Sequence, residues 1–212
     1  DVYEDIKKRK NSMDLLNFFF SLDTKTNDKI NFARIIQDPK HEAFKAVYVI
    51  YYAAIIYHLA QMLKAEKGDS TDRYTPNHIA FTGNGAKAFQ LLDKSEQHIT
   101  LQFFTECIFE YVLKEGDARI QIMLGDNPKE KLCKGGLLHM QDERAAGVSR
   151  VLKGDRDCTI LEGRNTTYNA IQADDVLLDS VLDNVDDFYE MLLNNMNNPN
   201  FSYEDFGTNC RI

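Results

Sequence analysis

A short apolar run, His78–Phe81, ends in two glycines that are separated by one residue, Gly83 and Gly85. Glycine tolerates positive φ and lets a ligand approach the backbone closely. The amides at the start of a following helix, over residues 86–92, would then point at that ligand. This pattern predicts a strand, a glycine turn and a helix. The turn either contacts a nucleotide or is an ordinary tight turn.

A second strand is predicted over residues 119–124, and an Asn127-Pro128 turn follows it. Between the two strands lies a helix predicted over residues 101–114, and residues 129–140 return to a helical pattern. This order of elements predicts an α/β layer with a parallel strand pair. Because ligands gather at the carboxyl ends of parallel strands, we expect both turns to open at the same edge of the sheet.

Residues 41–67 read as one long helix whose apolar side chains cover more than one face, which predicts burial on two sides. Its most apolar part, residues 46–57, is shorter than the roughly 20 residues that cross a bilayer, so we expect a buried helix and no membrane association. In the long helix over residues 41–67, His58 is predicted to be a core histidine. The tyrosines at 48, 51, 52 and 57 are predicted to be core residues rather than a ligand-stacking cluster.

Residues 174–193 read as an acidic amphipathic helix. Its aspartates lack the glycine and spacing of a calcium-binding loop, so they are predicted to form a solvated face. A short strand is predicted over residues 158–161, and aromatic side chains are predicted to pin an irregular tail over residues 194–212. The apolar residues expected inside the helix are Val176, Leu177, Val181, Leu182, Val185, Phe188, Tyr189 and Leu192.

Charge and cysteine content narrow the function classes. The formal net charge of −8 argues against a general nucleic-acid binder, which normally shows a basic face.

The four cysteines form no C-x-x-C pair, so neither a zinc site nor a redox dithiol is predicted. Cys107 and Cys133 are expected to be reduced core residues, which favours a cytoplasmic protein. His98 is expected near a helix start and exposed, and no metal site is predicted.

The chain begins with Asp1 and shows no signal-peptide pattern, so we take it as a fragment or a processed product. Three parts are predicted. Residues 1–75 form a helical N-terminal part, residues 76–141 an α/β core, and residues 142–212 a helical C-terminal extension with an irregular tail.

Residues 78–138 resemble the nucleotide-binding part of the second lobe of the actin-like ATPase superfamily, which includes actin, sugar kinases and the seventy-kilodalton heat-shock chaperones. The family's adenosine motif is an apolar strand, a Gly-Gly or Gly-x-Gly turn and a helix, and residues 79–87 match it. In the chaperone branch a later strand is followed by Asn-Pro-x-Glu and a pair of small residues. Residues 127–130 and the pair Gly135-Gly136 match these in register.

The resemblance implies an actin-type, ribonuclease-H-like lobe that binds ATP or ADP with Mg²⁺. Gly83 and Gly85 would lie against adenosine and the nearest phosphate, with Ala86 beginning the helix. Asn84 and Lys87 would supply polar contacts. The turn beside them would be shaped by Asn127 and Pro128, whereas Gly135 and Gly136 would allow close helix packing.

The chain also departs from the family pattern, because no Asp-x-Gly-x-Gly-Thr hairpin occurs in it. Phosphoryl transfer depends on such positioning and charge-stabilising parts. We therefore expect no catalytic residue here, and expect ATP with Mg²⁺ to bind only when a missing lobe closes the cleft. The expected partners are the nucleotide and that lobe, with a protein partner as a further candidate. The alternative is a non-catalytic protein-interaction domain that keeps the lobe as a scaffold.

Overall fold

The computed structural model describes residues 38–82, 84–93, 95, 97–124, 158–161 and 164–207. Helices α1 to α4 span Glu42–Lys67, Ile99–Leu113, Tyr168–Ala173 and Asp175–Asn195. Strands β1 to β6 span His78–Phe81, Gln121–Leu124, Cys158–Leu161, Arg164–Thr167, Asn197–Asn198 and Phe201–Ser202. Short 3-10 helices cover Pro39–His41, Asn84–Leu91 and Tyr203–Asp205. The fold is therefore helix-rich α/β, as predicted, while the ribonuclease-H-like architecture stays a prediction.

Helix α1 has defined ends and lies at the centre of the core. Asp38 accepts a hydrogen bond from the Lys40 amide at 2.9 Å just before the helix. At the other end Gly68 adopts a φ of 51°, the left-handed region that favours glycine, and its amide bonds to the Lys64 carbonyl. The predicted two-sided burial is confirmed, since between residues 44 and 63 only Val47, Ala54 and His58 are exposed, and these form a narrow stripe.

Tyr52 joins four elements in this core. Its side chain is fully buried, and its hydroxyl lies 2.7 Å from the Thr105 hydroxyl of α2. Its ring packs against Phe81 of β1, Phe89 of the 3-10 helix and Phe104 of α2, with centroids 5.0 to 6.2 Å away. Burial raises the pKa of Tyr52, so its hydroxyl stays protonated and can hydrogen-bond at all physiological pH values.

The predicted parallel pair is present. Strands β1 and β2 run side by side, with His78 opposite Gln121 and Phe81 opposite Leu124. The remaining strands form two separate antiparallel pairs, β3 with β4 and β5 with β6. The sheet that carries the predicted turns is therefore two-stranded among the residues that the structure describes.

The C-terminal tail is held by aromatic contacts, as predicted. Phe201 and Phe206 are buried and pack edge-on against Phe104 of α2, with centroids 5.5 and 5.2 Å away. The Lys45 ammonium lies 4.5 Å from the centre of the Tyr203 ring, where the ring quadrupole attracts it. Described parts of all three predicted segments thus share one hydrophobic core.

Only part of the sequence prediction for α4 is correct. Leu177, Val181 and Phe188 are half-buried and Leu192 is buried, as expected. The other four residues expected inside are exposed, because the helix packs on α1 and α2 through one side only. These are Val176, Leu182, Val185 and Tyr189.

The structure corrects one further prediction for α1. His58 is exposed rather than a core histidine, whereas Tyr48, Tyr52 and Tyr57 are buried as predicted. Among the residues that the structure describes, only Pro39–Lys67 has the length and apolar composition of a membrane-crossing helix. Its buried apolar side chains belong to the hydrophobic core, as expected of the predicted buried helix.

Asp187 is the one member of the acidic run in α4 that takes part in the core contact. Its carboxylate accepts a hydrogen bond from the Tyr57 hydroxyl of α1 at 2.7 Å and another from the Tyr111 hydroxyl of α2. The hydrogen bond to Asp187 and burial raise the pKa of Tyr111 to about 12, so this hydroxyl remains a donor at neutral pH. The three side chains attach α4 to both core helices.

Replacing Asp187 with Ala is expected to lower the free energy of unfolding by about 1–3 kcal/mol, because two partly buried hydroxyls lose a charged acceptor. The matched control is Asp186→Ala, which removes an exposed carboxylate one residue away and should change stability by less than about 0.5 kcal/mol. Urea unfolding followed by circular dichroism measures both. Equal effects would show that the tyrosine contacts do not stabilise the fold.

Candidate functional site

The candidate site is the edge of the sheet where β1 and β2 end. The register pairs Phe81 with Leu124, the last residues of the two strands. The chain therefore leaves both strands from adjacent positions, toward residues 82–87 on one side and residues 125–128 on the other. This edge is the position at which ligands bind parallel α/β sheets.

The segment after β1 is helical, as predicted, but it is a 3-10 helix, Asn84–Leu91. A 3-10 helix has three residues per turn, which aligns residues i and i+3. Ala86, Phe89 and Leu92 follow this spacing and are all buried. Core packing thus supports an element that is usually only three or four residues long.

This segment is fixed on the core at two places. The Phe89 ring packs edge-on against Phe81, with centroids 5.1 Å apart, beside the end of β1. At its far end the Gly207 amide of the tail donates to the Leu92 carbonyl. The buried Asp93 carboxylate then accepts hydrogen bonds from Ser95 and from the Leu101 amide, which joins the segment to α2.

Three glutamates of α2 and its C-terminal end hold the chain where it enters the strands. Glu106 accepts from the Ile120 amide and Glu110 from the Ala118 amide, each at 2.9 Å, just before β2. Glu115 accepts from the Tyr74 and Thr75 amides, three to four residues before β1. These contacts hold the amino ends of both strands near one helix, on the side opposite the candidate edge.

Glu115 is the most strongly bound carboxylate of this group. Besides the two amides, the Thr75 hydroxyl donates to it at 2.6 Å and Lys67 forms an ion pair with it. Burial alone would raise the pKa of Glu115. The hydrogen bonds from Lys67, Thr75 and the backbone outweigh burial and lower the pKa to about 2. The carboxylate is therefore ionised at neutral pH.

The structure describes only some of the predicted site residues. Asn84, Gly85, Ala86 and Lys87 form the first turn and a half of the 3-10 helix, and Ala86 is buried. The other predicted residues of the site lie outside the described part of the chain, as does the helix predicted over residues 129–140. These site residues are Gly83, Asn127 and Pro128; Gly135 and Gly136, which were predicted to allow close helix packing, also lie outside the described residues.

The cysteine, histidine and potential metal-ligating residues that the structure describes do not form a second candidate site. Cys107 is free and half-buried, as predicted, and burial together with Glu110 and Glu106 raises the pKa of its thiol to about 11. His98 lies just before α2, as expected, but is half-buried rather than exposed. Within the described ranges, no three potential metal-ligating side chains lie together. Cys133 lies outside these ranges.

The comparisons with known proteins add no assignment. No family model matches the chain, and the searches of curated proteins and of solved structures return no match.

Sequence reasoning missed the three glutamates, although their spacing was visible. Glu106 and Glu110 are four residues apart, one turn along a predicted helix, and Glu115 follows directly after its end. Spacing alone favours a solvated face for such residues. Only the fold shows that the chain segments entering β1 and β2 pass beside this face.

We expect Glu115→Gln to lower the free energy of unfolding by about 1–3 kcal/mol at neutral pH, because a charged acceptor of several hydrogen bonds is lost. The folded-state pKa lies below the ordinary value of 4.5, so this stabilisation is present above pH 4.5. It is lost as the pH falls toward about 2, where the folded carboxyl also takes up a proton.

Urea unfolding at a series of pH values tests this expectation, with Asp69→Asn in the exposed loop after α1 as control. The difference between wild type and Glu115→Gln should shrink across the acid range, whereas the control should stay close to wild type throughout. A difference that is the same at neutral and strongly acidic pH would contradict the assigned ionisation.

Proposed function

We propose that the chain is the nucleotide-binding lobe of a larger cytoplasmic ATPase of the actin and chaperone type. In this proposal the edge where β1 and β2 end forms the adenosine side of an ATP site. The observation that carries it is the parallel register, which puts Phe81 opposite Leu124, so that the ends of the two strands are adjacent. A two-residue slip of either strand would separate these strand ends by about 7 Å.

The residues proposed to contact nucleotide follow directly from this edge. Gly83 and Gly85 would let the backbone approach the base and the nearest phosphate. The first amides of the 3-10 helix, from Asn84 onward, have no partner inside the helix and in this proposal would donate hydrogen bonds to an anion. Asn127 and Pro128 would form the neighbouring wall after β2.

The proposed lobe is not catalytic by itself. Its sequence contains no Asp-x-Gly-x-Gly-Thr hairpin of the kind that holds phosphate and Mg²⁺ in the family it resembles. The described residues offer no cluster of three metal ligands either, so in this proposal the metal ligands come from the other lobe and from the phosphates. Nucleotide bound between the two lobes would favour their closed arrangement, and hydrolysis would release it.

Titration of the isotopically labelled chain with Mg·ATP, followed by amide chemical shifts, tests the site. We expect millimolar binding, because half a site forfeits most phosphate contacts, with shifts confined to residues near the ends of β1 and β2. Absence of shifts there would overturn the proposed edge. Micromolar or tighter binding, measured by calorimetry, would contradict the assignment as a half-site.

Gly85→Val is expected to abolish nucleotide binding by the full-length protein while leaving the lobe folded, because a branched side chain would block close approach of the ligand. The matched control is Gly116→Ala in the loop before β2, where an added Cβ meets no heavy atom within 4 Å. That variant should bind nucleotide as wild type does. Unchanged affinity in Gly85→Val would remove the turn from the site.

A second candidate function is a non-catalytic interaction domain on the same scaffold. The exposed apolar side chains of α4 favour it. The sequence upstream of Asp1 in the full-length protein separates the two candidates, since the ATPase proposal expects Asp-x-Gly hairpins there and the scaffold proposal does not.

A further inference from the structure

Helix α4 exposes a row of large apolar side chains along its length. The members recur at intervals of three or four residues and are 43% to 72% exposed. A row with this spacing runs along one side of a helix and extends here for about 22 Å, at 1.5 Å per residue. We call this row the apolar seam; it consists of Leu178, Leu182, Val185, Tyr189 and Leu193.

An acidic row borders the seam on one side. Four exposed carboxylates each follow a seam residue directly in sequence, so they lie about 100° further around the helix. Asp175–Asn195 contains no lysine or arginine to neutralise them. We call this row the acidic stripe; it consists of Asp179, Asp183, Asp186 and Glu190.

The other side of the seam faces the body of the protein. Leu177, Val181 and Phe188 each directly precede a seam residue and are half-buried, and Leu192, which precedes Leu193, is buried. Asp187 and Asn184 lie beside Tyr57 of α1. The helix is therefore held on the core by one face, while the seam lies between that face and the acidic stripe.

We propose that the seam and the stripe together form a docking surface for an amphipathic helix of a partner protein that carries lysine or arginine along one edge. A seam with three- and four-residue spacing fits the apolar face of a second helix. The acidic stripe would then lie beside the basic edge of that helix, and such complementarity favours association and selects the partner.

Charge disfavours other occupants of this surface. A second copy of the chain would bring two acidic stripes together, and like charges across an interface repel each other. Helices that lie on membrane surfaces carry lysine and arginine on their polar face, and α4 carries none. A basic amphipathic helix satisfies both the apolar and the electrostatic character of the surface.

Fluorescence anisotropy with the full 212-residue chain tests the proposal, using two synthetic helical peptides as probes. Both peptides carry leucine at the same heptad positions, and they differ only in having lysine or glutamate at the flanking positions. We expect the lysine peptide to bind saturably and at least about tenfold more tightly than the glutamate peptide. Equal binding of both peptides, or of neither, would overturn the proposal.

Variants of α4 then test whether the lysine peptide binds at the seam. The double variant Leu182→Gln/Val185→Gln should weaken binding of the lysine peptide at least about tenfold, since it removes the middle of the seam. Its control is Val176→Gln, which replaces an exposed valine on the same helix outside the seam and should change binding less than about twofold. Both sites are exposed, so circular dichroism should show folded proteins. If both variants bind the peptide as wild type does, the surface lies elsewhere.

Two double variants with the same change in net charge test the contribution of the acidic stripe. Asp183→Asn/Asp186→Asn should weaken binding about threefold to tenfold, with a smaller difference at high salt. Asp69→Asn/Asp72→Asn makes the same change in net charge at exposed loop positions and should have less effect. If both double variants weaken binding equally, only the net charge of the protein attracts the peptide, and the proposed role of the acidic stripe is contradicted. Concentration-dependent dimerisation that disappears in Leu182→Gln/Val185→Gln would instead assign the seam to self-association and overturn the proposal.

Discussion

The fold depends above all on the contacts of Tyr52. This fully buried side chain bonds to Thr105 across the α1–α2 interface and packs against aromatic rings from β1, the following 3-10 helix and α2. A buried hydroxyl without a partner would be costly, so the Thr105 contact specifies how the two helices lie against each other. The position of the candidate edge follows, because Phe81 and Phe89 flank the point where β1 ends.

A second constraint acts from the opposite end of the sheet. The carboxylates of Glu106, Glu110 and Glu115 bind backbone amides that precede β2 and β1. Backbone amides near a strand start need partners, and here side chains of one helix supply them. The candidate edge is therefore positioned by aromatic packing at one end of the strands and by charged hydrogen bonds at the other.

Helix α4 packs on the core with one face and carries the apolar seam and the acidic stripe outside it. Tyr57 and Tyr111 bind Asp187 and hold one face of α4 on the core helices. That orientation leaves the apolar seam outside, beside the acidic stripe. The proposed nucleotide edge and the proposed docking surface thus belong to separate elements attached to the same pair of helices.

Much of the fold was predictable from local patterns, because periodicity and glycine placement act within a few residues. Strand β1 and the ends of α1, α2 and α4 match their predicted bounds closely, and the parallel pairing follows from the order of elements. The candidate edge was predictable in the same way, from two turn sequences that each follow a strand. The residues that hold this edge in place, such as Tyr52 and Glu115, could not be predicted, because their partners are distant in sequence.

The sequence by itself determined the helices, the parallel strands and the apolar character of residues such as Leu182 and Tyr52. The tertiary structure decided which of these apolar side chains are buried. Helical spacing describes a face but does not identify its neighbours, and α4 has more apolar residues than one contact face can cover. Asp187 and Asp186 show the same limit for charge, since one binds two tyrosines and the other faces solvent. Their different roles arise because they lie 100° apart on a helix that packs on one side only.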